Sequence, residues 1–204
     1  VSRYQGVINW SQVASSGVDF AMIRVLDHSG GMHIDPYFYI NVRAAKAAGI
    51  KVGAYYYTYA VNREEVIGEL TMVKEALSTL EKEGYRFDYP IAVDIEGNKY
   101  INSITTAQRT DLTNYACTIL YQSGYYPIVY SYTSFLENQL NMSELQSFDV
   151  WVADYRGYMG YPGSMWQYTS TGKVNGVSGN CDMNVSYKDY STLIRTLKWN
   201  HFGS

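Results

Sequence analysis

The chain has 204 residues, 47% hydrophobic and 17% charged, a balance that excludes a disordered chain and supports a single sizeable core. A formal net charge of -3, with no basic run, disfavours a nucleic-acid partner. No apolar stretch approaches the roughly 20 residues needed to cross a bilayer, and no basic amino-terminal segment precedes an apolar run, so these residues carry no secretory signal of their own.

Residues 4–10 read as a strand entering a turn, and 11–16 as a short helix before Gly17. Residues 19–25 are nearly all apolar, the mark of a strand covered on both faces. Asp35 and Pro36 offer a capping carboxylate and a first-turn proline for a helix running through Ala44, Ala45, Ala47 and Ala48 to Gly49. A strand follows at 50–57. The segment 63–82 carries Ile67, Leu70, Val73, Leu77 and Leu80 at helical spacing, a packing stripe that stops at Gly84.

Residues 90–96 enter as an apolar strand and end in acid. Thr105 and Gln108 have capping-box spacing for a helix reaching about residue 122, followed by a strand at 126–130. A short helix fits 133–140. Strands at 148–155, 164–169 and 181–185 then leave little room for helices, and a last amphipathic helix fits 186–199. Eight strands in serial strand-helix units predict an α/β protein. The expected fold is an irregular TIM-like (β/α) barrel, one catalytic domain over 1–204, with reduced helices in the last third. No phosphate-binding glycine motif is present, so no nucleotide cofactor is expected.

Asp94 and Glu96 are two apart on a strand and project to one face, at the end where barrel loops build active sites. Mutual repulsion and partial burial can keep one of two such carboxyls protonated near neutral pH. A protonated carboxyl would serve glycoside cleavage as acid, with its partner stabilising positive charge or orienting a nucleophile. The same spacing also suits structural loop bonding, or a hard cation held with Asp182, although no paired histidines accompany these acids.

The 22 tyrosines combine a ring with a hydroxyl, which suits both a core boundary and a sugar-binding groove. Tyr55, Tyr57, Tyr130, Trp151, Tyr155 and Trp166 lie at or near strand ends and can serve either role. Arg24 can pair with a carboxylate inside the barrel or meet substrate. His28 can shape the groove, whereas His33 and His201 offer no zinc centre with it, and His201 reads as a surface residue. Asp154 reads as a loop-holding acid. Cys117 and Cys181 can be two thiols or one disulfide.

The order of several blocks resembles glycoside hydrolase family 25, the Chalaropsis-type lysozymes. The blocks are Val1-Ser2-Arg3-Tyr4-Gln5-Gly6 with Asn9-Trp10, Asp19-Phe20-Ala21-Met22-Ile23-Arg24, Gly53-Ala54-Tyr55-Tyr56-Tyr57 and Asp94-Ile95-Glu96. They continue through Trp151-Val152-Ala153-Asp154-Tyr155, Trp166-Gln167-Tyr168-Thr169 and Gly179-Asn180-Cys181-Asp182-Met183-Asn184. The resemblance implies an N-acetylmuramidase that cleaves the β-1,4 bond of peptidoglycan glycan strands with net retention, without metal or organic cofactor, secreted or wall-associated. Additional cell-wall-binding modules outside this chain are compatible with it.

Carried over by position, Glu96 is implied as general acid and then base, Asp94 as the group assisting the substrate N-acetyl, and Asp182 as a further groove carboxylate. Tyr57, Trp151 and Tyr155 are the aromatic residues it favours for the groove. The family pattern begins Asp-Val-Ser where this sequence begins Val1-Ser2, so the first-strand aspartate is not among these residues. The alternative is therefore a lysozyme-like carbohydrate-binding module without turnover. Asp27-His28 stands where the family commonly has Thr-Glu-Gly, which implies a differently built rim beside the second strand.

Overall fold

The computed structural model describes residues 1–203. Its first turns differ from the expected strand. Arg3–Gln5 form a 3₁₀ turn closed by reciprocal bonds, the Tyr4 N–H to the Ser2 hydroxyl at 3.3 Å and the Ser2 N–H to Gln5 Oε1 at 2.8 Å. Gly6, at φ 59°, then breaks any extended run, and Val7 is exposed. The short helix α1 (Trp10–Ser15) follows, capped by Asn9.

The strand β1 (Phe20–Arg24) leads into a small hairpin, β2 (Leu26–Asp27) and β3 (His33–Ile34). Helix α2 spans Phe38–Ala47 without a side-chain cap. Asp35 does not cap it, because its buried carboxylate is taken up by Arg24 and the Arg3 N–H, and its Oδ1 accepts the Tyr37 N–H at 2.9 Å. Strand β4 (Lys51–Tyr57) and helix α3 (Arg63–Lys82) come next. The buried stripe of α3 is Val66, Leu70, Val73, Leu77 and Leu80, and Ile67 is exposed. One residue of helix turns about 100°, which carries Ile67 off the stripe that starts at Val66.

Strand β5 (Ile91–Asp94) stops at Asp94, two residues earlier than the sequence suggests. Helix α4 (Thr106–Gln122) begins at the Thr105–Gln108 capping box. Strand β6 (Pro127–Tyr132), helix α5 (Thr133–Gln139), strands β7 (Asp149–Ala153), β8 (Met165–Gly172) and β9 (Cys181–Ser186), and helix α6 (Tyr190–Thr196) complete the chain. Helix α6 is shorter than expected because the end of β9 and a turn occupy its predicted start, and Asp189 caps it.

Seven strands form one sheet in the order β1-β4-β5-β6-β7-β8-β9. All neighbours are parallel except β8 and β9, which run antiparallel. The expected closed eight-strand barrel is thus a curled half-barrel with β1 and β9 as its edges. Two sequence features account for the difference. The first predicted strand is spent on a 3₁₀ turn and a loop, and only residues 173–180 separate β8 from β9. A parallel return needs a crossover of roughly a dozen residues or more, so the shorter link folds back as a hairpin.

Val1 continues the sheet beyond β1. Its backbone nitrogen donates to the Met22 carbonyl at 2.8 Å, and its carbonyl accepts the Arg24 N–H at 3.0 Å, a parallel register on the free edge of β1. At the far end of the chain, buried Asn200 donates to the carbonyls of Phe87 and Tyr89 at 2.8 and 3.0 Å and accepts the Tyr126 N–H at 2.8 Å. These bonds latch the last turn to the starts of the central strands. Cys117, in the core on α4, and Cys181, at the start of β9, are free thiols.

Candidate active site

A cleft of about 390 Å³ opens where the parallel strands end and continues along the β1 edge. Its lining includes Asp94, Glu96, Asp182, Tyr55, Tyr130 and Trp151. That volume lies within the range of pre-formed small-molecule sites.

Asp94 closes β5 in register with Tyr57 on one side and Tyr130 on the other. The chain keeps its extended course for two more residues, because the Ile95 N–H donates to the Tyr130 carbonyl at 3.0 Å and the Ser131 hydroxyl donates to the Ile95 carbonyl at 2.5 Å. Ile95 therefore packs into the core, while Asp94 and Glu96 share the opposite face. Asp94 is buried and Glu96 half-buried toward the opening.

The two carboxyls are hydrogen-bonded to each other, which requires a proton between them. Burial, the Glu96 charge and this bond push Asp94 well above the ordinary carboxylate range, and Arg24 opposes them. Burial also raises Glu96, with the Asp182 charge adding to it and the Asp94 bond opposing it. Asp94 Oδ1 has no hydrogen-bond partner. Arg24 is committed elsewhere, to Asp35 at 2.7 Å and Asp27 at 3.2 Å.

Asp182 reaches the same rim for a topological reason. It lies at the beginning of β9, and an antiparallel strand enters the sheet where its parallel neighbours leave it.

The aromatic candidates divide. Tyr55 and Trp151 meet edge-to-face at 6.2 Å, Tyr130 and Trp151 lie 4.5 Å apart, and all three face the cleft. The Trp151 indole N–H donates to Asn184 at 3.0 Å. Tyr57 is half-buried, its hydroxyl accepts from Asn98 at 3.1 Å, and burial followed by the charges of Glu96 and Asp94 outweighs that bond and pushes it up to about 12. Tyr155 is exposed, yet its hydroxyl donates to Gln167 Oε1 at 2.6 Å. Trp166 stands outside the cleft lining, with its indole N–H on the Asp154 carbonyl at 2.8 Å. His28 also stands outside it, stacked on Tyr59 at 4.2 Å beside Glu69.

Asp154 holds the following loop through Thr133, Arg156 and the Gly160 N–H. His201 is no bare surface group, since its ring contacts Glu81 at 2.8 Å and the Ser123 carbonyl at 2.9 Å.

Sequence reasoning missed Gln167, Asn184 and Asn98. Gln167 is buried and accepts from both Tyr130 at 2.9 Å and Tyr155 at 2.6 Å. Strand alternation was the available signal, because the residue beside an outward Trp166 must face inward.

A profile of glycosyl hydrolases family 25 matches residues 1–177. The chain belongs to glycosyl hydrolase family 25. Among its relatives, the autolytic lysozyme of Clostridium acetobutylicum is 28% identical over 88% of this chain and 52% of its own length. Lysozyme M1 of Streptomyces globisporus is 28% identical over 90% of this chain and 65% of its own. The family 25 domain described here thus spans about half to two thirds of the length of these curated relatives.

Among solved structures, the modular autolysin LytC of Streptococcus pneumoniae, in complex with a synthetic peptidoglycan ligand, superposes with a TM-score of 0.80 at 28% identity. The match covers 92% of this chain and 45% of that one. The lysozyme of Streptomyces coelicolor gives a TM-score of 0.73 at 25% identity, covering 100% of this chain and 96% of its own. The half-barrel agrees with the fold of these structures.

Proposed function

We propose that this chain is the catalytic domain of a secreted N-acetylmuramidase that hydrolyses the β-1,4 bond between N-acetylmuramic acid and N-acetylglucosamine with net retention. The observation that carries the reading is the hydrogen-bonded Asp94–Glu96 pair at the mouth of an aromatic cleft. The lysozymes and autolysins among its relatives support the same substrate class.

Two carboxyls in hydrogen-bond contact cannot flank a sugar ring, since acid and nucleophile across a ring need roughly 5 Å or more between them. The pair acts from one side. Glu96, nearer the opening, takes up the proton that the pair shares, delivers it to the departing sugar oxygen and afterwards takes one from water. Asp94 keeps an unpartnered buried oxygen, suited to accept the N–H of a substrate acetamido group and so aim its carbonyl oxygen at the ring carbon. The C–O bond to the leaving sugar breaks as the acetamido oxygen attacks, and water later opens that ring under Glu96. Two displacements at one carbon give net retention. Asp182 adds negative charge where the ring becomes positive.

The chain's own partners in this reading are peptidoglycan glycan strands. Relatives longer than the matched segment support wall-binding modules outside these residues as a further part of it. Among the described residues, no helix is long and apolar enough to cross a membrane.

The test is direct. Purified domain incubated with peptidoglycan should release muramic-acid reducing ends, seen by mass spectrometry, with the β-anomer formed first by proton NMR. Release no greater than from Glu96→Gln would reject the enzyme reading in favour of a binding module.

A further inference from the structure

A second cluster of rings begins where the cleft ends. Tyr57, beside Glu96, meets Tyr59 edge-on at 5.0 Å, and Tyr59 meets Tyr100 at 5.4 Å with a 35° tilt. Tyr100 is 42% exposed. Three rings thus step outward from the carboxyl pair across the loops after β4 and β5.

The row is held in place from beneath. His28 stacks on Tyr59, and buried Glu69 accepts the Tyr59 N–H at 2.8 Å and the Thr58 hydroxyl at 2.7 Å. Asn98 fixes the outer end. Its Oδ1 accepts the N–H groups of Tyr100 and Ile101 at 2.9 and 3.0 Å, and its Nδ2 donates to the Tyr57 hydroxyl. An exposed ring kept in one orientation loses little entropy when a ligand stacks on it.

Charge points the same way. The cleft gathers Asp94, Glu96 and Asp182, which repel any anionic substituent of a ligand. Lys99 lies with its ammonium 4.7 Å from the Tyr100 ring centre and pairs with no acidic side chain among the described residues. A cation at the outer end of an aromatic row suits a ligand with apolar sugar faces and a carboxylate held away from the reacting bond.

The geometry points to Tyr59, Tyr100 and Lys99 as an outlying glycan subsite, which stacks an amino-sugar ring beyond the cleavage point and takes the carboxylate of its peptide or lactyl substituent. The inference rests on the muramidase reading for the identity of the glycan. It adds a specificity: long strands that carry acidic substituents are preferred over short or bare ones.

The experiment uses the Glu96→Gln protein for binding and the unaltered catalytic pair for turnover. Affinity is measured by calorimetry for soluble peptidoglycan strands with intact peptide stems, and for the same strands after amidase removal of the stems. Tyr100→Ala should weaken binding of both about tenfold, with Tyr100→Trp restoring it. Lys99→Ala should weaken only the stem-bearing ligand if the peptide carboxylate is the anion, and only the amidase-treated ligand, whose lactyl carboxyl the amidase sets free, if it is the lactyl carboxylate. In turnover, Tyr100→Ala should raise KM on long strands at least tenfold more than on the shortest cleavable fragment.

Equal losses on long and short substrates, or unchanged affinity in both variants, would overturn the subsite. The two readings separate cleanly. An unaltered protein that cleaves nothing yet binds strands in a Tyr100-dependent way would sink the muramidase reading and leave the subsite standing.

Discussion

The Glu69 carboxylate accepts the backbone N–H of Tyr59 at 2.8 Å while the His28 ring covers the Tyr59 face. Burial pushes Glu69 up to about 7, against the opposing bonds from Tyr59 and Thr58. A raised carboxyl pKa means that the folded chain keeps a proton that the unfolded chain has lost. Stability should therefore fall as pH rises from about 4.5 to about 7 and level off above that. The drop from this group is about 3 kcal/mol, taking 1.36 kcal/mol per unit. Burial lowers His28, which acts with the opposite sign below its ordinary value but is common to both proteins in the comparison. Urea unfolding at several pH values should show a flatter profile for Glu69→Gln, and an unchanged slope would count against the buried-acid account.

Replacing Glu96 with Gln should lower kcat by roughly 10²–10⁴-fold, the usual scale for a lost general acid. Asp94→Asn should act differently. A carboxamide N–H donated permanently to Glu96 favours its ionised form, so the alkaline limb of the kcat/KM profile should move to lower pH. In the unaltered protein that limb lies above the ordinary carboxylate range, because both groups are raised. A pH-rate series on peptidoglycan for both variants checks the assignment, and identical profiles would contradict it.

Gln167→Leu removes the acceptor that Tyr130 and Tyr155 share. Tyr155 is exposed and turns to water, but the buried Tyr130 hydroxyl loses its Gln167 acceptor. The expected cost is roughly 1–3 kcal/mol in chemical denaturation, with a raised KM because Tyr130 lines the cleft.

Val1 lies in parallel register on the free edge of β1 and lines the cleft. A residue placed immediately before it continues that edge. Adding Asp at this position should increase turnover over an Asn-bearing control, measured as reducing ends released per minute. Equal rates would show that a fourth carboxylate contributes nothing here.

Asn200→Ala removes three side-chain bonds to buried backbone groups, at a cost of roughly 2–4 kcal/mol. The site lies at the opposite end of the strands from the cleft, so melting temperature should fall while KM holds.

The helices were legible because their signals are local. The Thr105–Gln108 box and the run ending at Gly84 need no distant partner to act. The carboxyl pair was legible for the same reason, since a period of two places Asp94 and Glu96 together whatever surrounds them. Closure was not legible, because it depends on how the first and last strands meet. The segment 4–10 looked apolar enough for a strand, but Gly6 and the Ser2–Gln5 bonds turned it away. Asp35 carried a capping signal, yet Arg24, eleven residues earlier, claimed its carboxylate. The ring row of Tyr59 and Tyr100 joins two loops far apart in the chain, and no spacing rule links them.

The hairpin of β8 and β9 gives the acidic rim two independent parts. Asp94 and Glu96 are fixed by the buried centre of the sheet, whereas Asp182 follows a turn whose residues Ser178, Gly179 and Asn180 are exposed. Loop lengthening is thermodynamically mild, growing only with the logarithm of length. Insertions at this turn can shift one acid's height over the glycan without disturbing the proton-sharing pair, so descendants of this domain can adapt to different wall chemistries by editing a few surface residues.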